Sequence, residues 1–305
     1  MDHPAATPAS AHEPLDKETF NRLLVGLRPR LHRYCARMVG SVIDAEDVVQ
    51  EASIKAIEAF AGSTGITNPE AWLFQVVHNT ALDVLRKRVR QPRFGGDEEL
   101  AMISNPNDEV HQREAVAAAL HAFMRLPVAQ RSSVILKDVL GYSLDEIGAI
   151  TGTSLPAVKA ALHRGRENLR AASAEPDERT PPALNEADRA RLAAYVERFN
   201  ARDFDALRKM LAEDVQVELV TKTRLRGRAE VSGRYFGNYS RAYDWYVEPG
   251  FVDRRPAIIA RDPHDATRRP AYFILLGWTA GHVAAIRDFR HAPYVIDGAE
   301  VLSFA

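Results

Sequence analysis

Three groupings of side chains in this sequence could do chemistry. The first is cationic. Lys159, His163, Arg164 and Arg166 share one short stretch with Ser154, Ala157 and Ala160. Arg86, Lys87, Arg88 and Arg90 close another stretch, which also carries Trp72, Asn79 and Asp83. Cations neutralise phosphates, an indole gives an unpaired base a stacking surface, and an amide offers it hydrogen bonds. The second grouping is acidic: Glu46, Asp47, Gln50 and Glu51 fall on one side of a helix that Asp44 would cap. The third is a carboxylate among imidazoles. His282 and Asp288 are six apart in a strand pattern, so period two puts both on one face, and His291 follows in a loop. An Asp–His pair can do acid–base work. Each grouping also has a plainer reading. Charged helix faces are often only solvated, and histidines are often surface or satisfied polar groups.

Other chemistry is missing from the pattern. There is no Walker loop or dinucleotide fingerprint. Gly141–Asp145 lacks the last glycine of a nucleophile elbow and opens a helix instead of following a strand. The histidines lack paired metal spacing, and the single cysteine, Cys35, can form neither a zinc knuckle nor an intrachain disulfide. Cys35 shares a helical face with Leu31, Tyr34 and Met38, which makes it a small buried apolar residue. No metal and no cofactor are expected.

The cations of 159–166 need a scaffold, and the local signals supply one. Ser143 and Glu146 form an S-x-x-E capping box, and Leu144, Ile147 and Ile150 give the helix one apolar face. Thr151-Gly152-Thr153 breaks it. Ser154 can cap a second helix with Pro156 in its first turn. Val158, Ala161, Leu162, Gly165 and Leu169 share one face of that helix, and the cations lie off it. Two helices across a glycine turn, the second basic, read either as a helix-turn-helix whose second helix enters a major groove or as an ordinary helical hairpin. Upstream, Phe20 to Met38 is helical by its spacing. The acidic helix follows, and Pro69 starts a third helix with Leu73, Val77, Ala81 and Leu85 on one face.

The chain has 305 residues and a formal net charge of −1. That length suggests two or three domains, and the charge confines nucleic-acid binding to local patches. No apolar run approaches a membrane span, and the first residues lack the pattern of a secretory signal. Residues 1–14 read as a tail. Composition places linkers at 92–112 and 172–184, between units at 15–91, 113–171 and 185–305. In the last unit, helical spacing at Leu192–Phe199 and at Phe204, Leu207 and Leu211 precedes a series of strand patterns with a hairpin turn at Thr279–Gly281. Helices first and an antiparallel sheet afterwards indicate an α+β layer fold.

Three runs of residues resemble a known family. Leu126-Pro127-x-x-Gln130-Arg131, Gly141-Tyr142-Ser143 and Val158-Lys159-x-x-Leu162-His163-Arg164-x-Arg166 are similar to region 4 of bacterial sigma factors of the extracytoplasmic-function (ECF) branch. Ala157 and Ala160 stand where that branch usually carries Ser or Thr and Ser. Asp44-Ala45-Glu46-Asp47-Val48-x-Gln50-Glu51 resembles region 2.2, and Pro69-x-Ala71-Trp72-Leu73 with His78-Asn79 and Asp83-x-Leu85-Arg86 resembles regions 2.3 and 2.4. The resemblance implies polymerase binding by Asp44, Asp47, Gln50 and Glu51. It implies −10 DNA contacts by Trp72, Asn79, Asp83, Arg86, Lys87, Arg88 and Arg90. It also implies −35 contacts by Ser154, Ala157, Lys159, Ala160, His163, Arg164 and Arg166. Tyr195-x-x-x-Phe199-Asn200, Asp203-Phe204, Ala212–Val215, Arg226-Gly227 and Ile286-x-x-Phe289 resemble the SnoaL-like branch of the NTF2-like cone. In that cone His282, Asp288 and His291 are the pocket candidates. The implied protein is multidomain: an all-α region 2 bundle, a region 4 helix-turn-helix and an α+β cone. It would be a cytoplasmic, non-enzymatic sigma factor that binds core RNA polymerase and promoter DNA and is regulated in cis by its C-terminal domain. An anti-sigma factor or a small-molecule ligand of that domain is a further expected partner. A bifunctional protein with a catalytic C-terminal domain is the alternative, and a plain helix-turn-helix repressor would not need the acidic helix.

Overall fold

The computed structural model describes residues 16–61, 66–90, 120, 122–174, 182–242 and 245–304. The tail 1–14 and the linker 92–112 lie outside the described residues. Three long helices open the chain: α1 (Lys17–Val39), α2 (Val42–Ala61) and α3 (Pro69–Arg90). Asp16 caps α1 by accepting from Thr19 N, and Gly40 ends it at φ 79, in the left-handed region where glycine is favoured. Leu31, Tyr34, Met38, Val49, Ala52 and Phe74 meet in the core of this bundle. Cys35 is buried there, and burial pushes its thiol well above the usual range.

The helix-turn-helix unit follows. Helix α4 (Val128–Val134) runs into a π turn (Ile135–Val139), then come α5 (Leu144–Thr151) and α6 (Leu155–Ala174). The capping box is formed in both directions: Ser143 Oγ accepts from Glu146 N, and the Glu146 carboxylate accepts from Ser143 N at 2.8 Å. Gly152 closes α5 at φ 67. The expected apolar face of α6 is the packed one, with Val158, Ala161, Leu162 and Gly165 buried. Gly165 is required by close approach, because a Cβ there would stand 2.7 Å from Val134 Cγ2.

Helices α7 (Glu186–Asn200) and α8 (Phe204–Lys209) lead into a seven-stranded sheet. The strands are β1 (Leu211–Leu219), β2 (Thr223–Arg226), β3 (Tyr246–Val252), β4 (Arg255–Arg261), β5 (Pro270–Thr279), β6 (His282–Asp288) and β7 (Val301–Ser303). Their order is β2-β1-β6-β5-β4-β3-β7. Two expectations need correcting. Leu211 begins β1 and does not end a helix, and the sheet is mixed, because β1 pairs with β6 in parallel. The sheet is buried on two faces. Tyr195, Phe199, Tyr235, Ile258 and Ile274 fill the inner one. On the outer one, Val252, Ile259, Phe273 and Phe289 share a continuous core with Val42, Ile43 and the rest of the first bundle. Adjacent residues of one strand, Ile258 and Ile259, therefore serve different cores, as the pleat dictates.

Candidate functional site

Helix α2 starts at Val42, two residues before the expected cap Asp44. Its first N–H groups still need acceptors. Val42 N donates at 2.5 Å to Asp253, which lies 211 residues downstream. Asp253 and Arg254 form the two-residue turn between β3 and β4, with φ of 47 and 64. Two positive φ values are what the tight I′ hairpin turn requires, and Asp tolerates them. The tip of this hairpin is therefore a rigid presenter of a carboxylate to the end of α2.

The carboxylates in the first two turns of α2 meet cations and a phenol. Asp44, in the first turn, accepts from Arg88 of α3 at 2.5 Å and from Arg255 of β4 at 2.6 Å. One turn on, Asp47 accepts from Arg287 of β6 at 2.5 Å. Glu46 was expected on a polar face, yet it is fully buried. It pairs with Arg28 and accepts from the Tyr294 hydroxyl at 3.0 Å, and Arg28 Nε donates to the same hydroxyl at 2.8 Å. Burial pushes the Asp253 and Asp47 carboxyls up; Arg287 opposes the shift at Asp47, and backbone donors oppose it at Asp253. Gln50 and Glu51 lie one turn further on, half-buried, with Glu51 paired to Lys55 at 2.7 Å. The sheet domain therefore grips the first two turns of the acidic helix.

On α3, Asn79, Lys87 and Arg90 are exposed, Arg86 pairs with Asp83 at 3.1 Å, and half-buried Trp72 tilts against Phe20. Arg88 is tied into its own bundle, donating to Val39 O and Asp44. Ser154, just before α6, and Ala157, Lys159, His163 and Arg164 on it are exposed, and Ala160 is half-buried. Arg166 forms a bidentate pair with Asp138 at 2.9 and 2.6 Å.

The two helical units are also joined directly. Arg131 of α4 is 5% exposed and donates to Met38 O of α1 at 2.6 Å, as well as to Met124 O and Leu126 O. The Tyr142 hydroxyl donates to Glu70 of α3 at 2.5 Å, and Arg30 lies over the Tyr142 ring while pairing with Glu70 at 2.7 Å. Sequence spacing gives no hint of either tie, since each partner sits in a different unit.

The structure separates His282 from the other two residues of the third grouping, while the Asp288 charge is felt at His291. Asp288 is fully buried and accepts from Tyr235 at 3.0 Å, Tyr239 at 2.7 Å and Arg290 N at 2.8 Å. His282 stands at the exposed far end of β6, about 20 Å away along the strand. His291 is exposed, with burial and Lys222 lowering its proton affinity. Among the described residues, no group of three or more His, Cys, Asp or Glu could hold a metal ion, and no helix is long and apolar enough to cross a membrane.

Comparison with known proteins agrees with the helical part of this layout. The Sigma-70 region 2 family matches residues 23–91, and the Sigma-70, region 4 family matches residues 117–169. The chain is 29% identical over 237 residues to the ECF RNA polymerase sigma factor SigG of Mycobacterium tuberculosis, covering 69% of this chain and 64% of SigG. It is 31% identical over 169 residues to the ECF RNA polymerase sigma factor SigW of Bacillus subtilis, covering 51% of this chain and 89% of SigW. Among solved structures, the extracytoplasmic function sigma factor SigJ of Mycobacterium tuberculosis aligns over 88% of this chain and 95% of its own, at 22% identity and a TM-score of 0.36. On the match to SigW, with both sigma regions in order along the chain, this protein belongs to the family of ECF RNA polymerase sigma factors.

Proposed function

We infer that this chain docks on core RNA polymerase through α2 and directs it to promoters, with α3 at the −10 element and α6 at the −35 element, and that its sheet domain holds the docking helix closed in cis. The working units are 15–91, 113–171 and 185–305, and the place of action is the cytoplasm, where polymerase works. The protein positions polymerase and catalyses nothing itself. Catalysis in the sheet domain is disfavoured because Asp288 is already held by two tyrosines and His282 is out of its reach.

One observation carries the closed reading. Arg255, Arg287 and Asp253 engage Asp44, Asp47 and the N-terminus of α2, the same helix the family resemblance assigns to polymerase. Polymerase and the sheet domain then compete for one surface. The direct test is run-off transcription and co-purification with purified core polymerase. Arg255→Glu with Arg287→Glu should raise both, and Asp47→Ala should lower core retention in that open background. Core retention by neither form would remove the sigma reading. Equal activity of the closed and opened forms would remove the cis control alone.

A further inference from the structure

A cleft of about 590 Å³ runs between the first bundle and the helix-turn-helix unit. Leu82, Leu85 and Val89 of α3 form one wall, and Val128 of α4 with Ala157 and Ala161 of α6 form the other. Val89 is 88% exposed, unusual for an apolar side chain on an otherwise charged helix end. The hydroxyls along the walls are already engaged: Ser133 Oγ donates to Ala129 O at 2.8 Å and Thr151 Oγ1 to Ile147 O at 2.7 Å. His78, also on the wall, holds a 2.6 Å bond to the Tyr34 hydroxyl, and burial lowers it to about 4, so it is uncharged at neutral pH. The charges that remain on the lining are Arg90 and Arg86, the latter shared with Asp83 at 3.1 Å, both on the exposed rim. The volume is that of a small-molecule site, and the lining is an apolar body with cations at one end.

We propose that this cleft binds an amphipathic organic anion, of the class of a medium-chain carboxylate, whose apolar chain lies between α3 and α6 and whose head group meets Arg86 and Arg90. The two walls belong to different units, so an occupied cleft holds those units together. Arg86, Arg90 and Ala157 are also residues assigned to promoter DNA, and the ligand therefore competes with the promoter. That consequence rests on the sigma reading; the binding itself does not. A ligand shifts the balance by its differential affinity for the closed arrangement, the only one in which both walls meet.

The experiment uses the full chain and dodecanoate, read by displacement of the fluorescent anion 1-anilinonaphthalene-8-sulfonate. Saturable binding of one dodecanoate per chain is expected, with decanoate about tenfold weaker for its two lost methylenes. Val128→Trp, which fills the cleft, and Val128→Asp, which makes its wall polar, should each weaken binding at least tenfold, with circular dichroism melting checked for both. Dodecanol, which lacks the anion, should bind more weakly than dodecanoate. No saturable binding, many sites per chain, or unchanged affinity in both folded Val128 variants would overturn the site. So would binding seen only after deletion of residues 92–112, which would show that the chain itself fills the cleft. Promoter retention that is indifferent to saturating dodecanoate, in a protein that does bind it, would overturn the competition alone.

Discussion

His32 and His78 are two buried imidazoles whose surroundings leave no room for a charge. His32 Nε2 bonds to Val42 O at 2.9 Å beneath the Tyr294 ring, and His78 pairs with Tyr34. Burial lowers both to about 4 from 6.5. A base with a depressed native value binds fewer protons folded than unfolded, so the native state is fully favoured above about pH 6.5 and loses stability as pH falls towards 4. Complete protonation would cost about 3 kcal/mol per site. Melting temperatures should therefore fall between pH 7 and pH 5, and His78→Asn should flatten that slope; an unchanged slope in that variant would clear His78. Arg131 belongs to the same scale. Its guanidinium serves three carbonyls from two units, a fork no lysine reproduces. Arg131→Lys should lose about 2 kcal/mol or more in urea denaturation, the cost of carbonyls left unsatisfied.

At the scale of elements, what could be read from sequence follows the range of the interaction. The Ser143 capping box spans three residues, was readable as a pattern, and is formed. Ser143→Ala should cost about 1 kcal/mol of stability, measured by denaturant unfolding, with α5 fraying first. Only part of the α2 cap is local. Asp44 looks like a cap because it precedes an apolar-periodic run, but Ser41 holds that place, accepting from Asp44 N at 3.3 Å, and Val42 N is taken by Asp253, brought from a hairpin in another domain. Asp253→Ala should leave Val42 N without its acceptor and cost about 1–2 kcal/mol, and it should also loosen the sheet domain. A Ser143-sized effect with no change in protease protection of the 182–304 segment would argue that the hairpin only caps and does not hold. One signal of the interface was present in the sequence. Ala257-Ile258-Ile259-Ala260 and Tyr272-Phe273-Ile274 are continuous apolar runs, and such strands are buried on both faces. They announce that the sheet has a second partner layer without saying which one. The Asp288 grouping was misleading for the converse reason: period two gave the right face of β6, but distance along the strand kept His282 away.

For the whole molecule the geometry of promoter DNA sets a demand that this arrangement cannot meet. Elements centred near −10 and −35 are about 25 base pairs apart, or about 85 Å along the duplex. Here α3 and α6 line opposite walls of one cleft, and Arg131 and Tyr142 tie their units together. With α3 at −10 and α6 at −35, as proposed above, a chain in this state reaches one element or the other, not both. Opening must separate the units, and it must also lift the sheet domain from α2, because the same apolar core runs through all three. Exposing that core in water is unfavourable, so the closed state should dominate until polymerase covers the surface that the sheet domain gives up. The change can be measured as a distance. Glu58 and Asp145 are exposed and lie in different units, and Cys35 is buried with its thiol held protonated, so dyes on Glu58→Cys and Asp145→Cys would label only those two sites. Energy transfer should be high in the free chain and in the chain with promoter DNA alone. It should collapse when core polymerase and promoter are both present, as the units move tens of ångströms apart towards the promoter spacing. Arg255→Glu with Arg287→Glu should populate the low-transfer state at lower polymerase concentration. Transfer that stays high in a complex active in transcription would mean that the two units read the promoter without separating, and the closed arrangement would then be the working one.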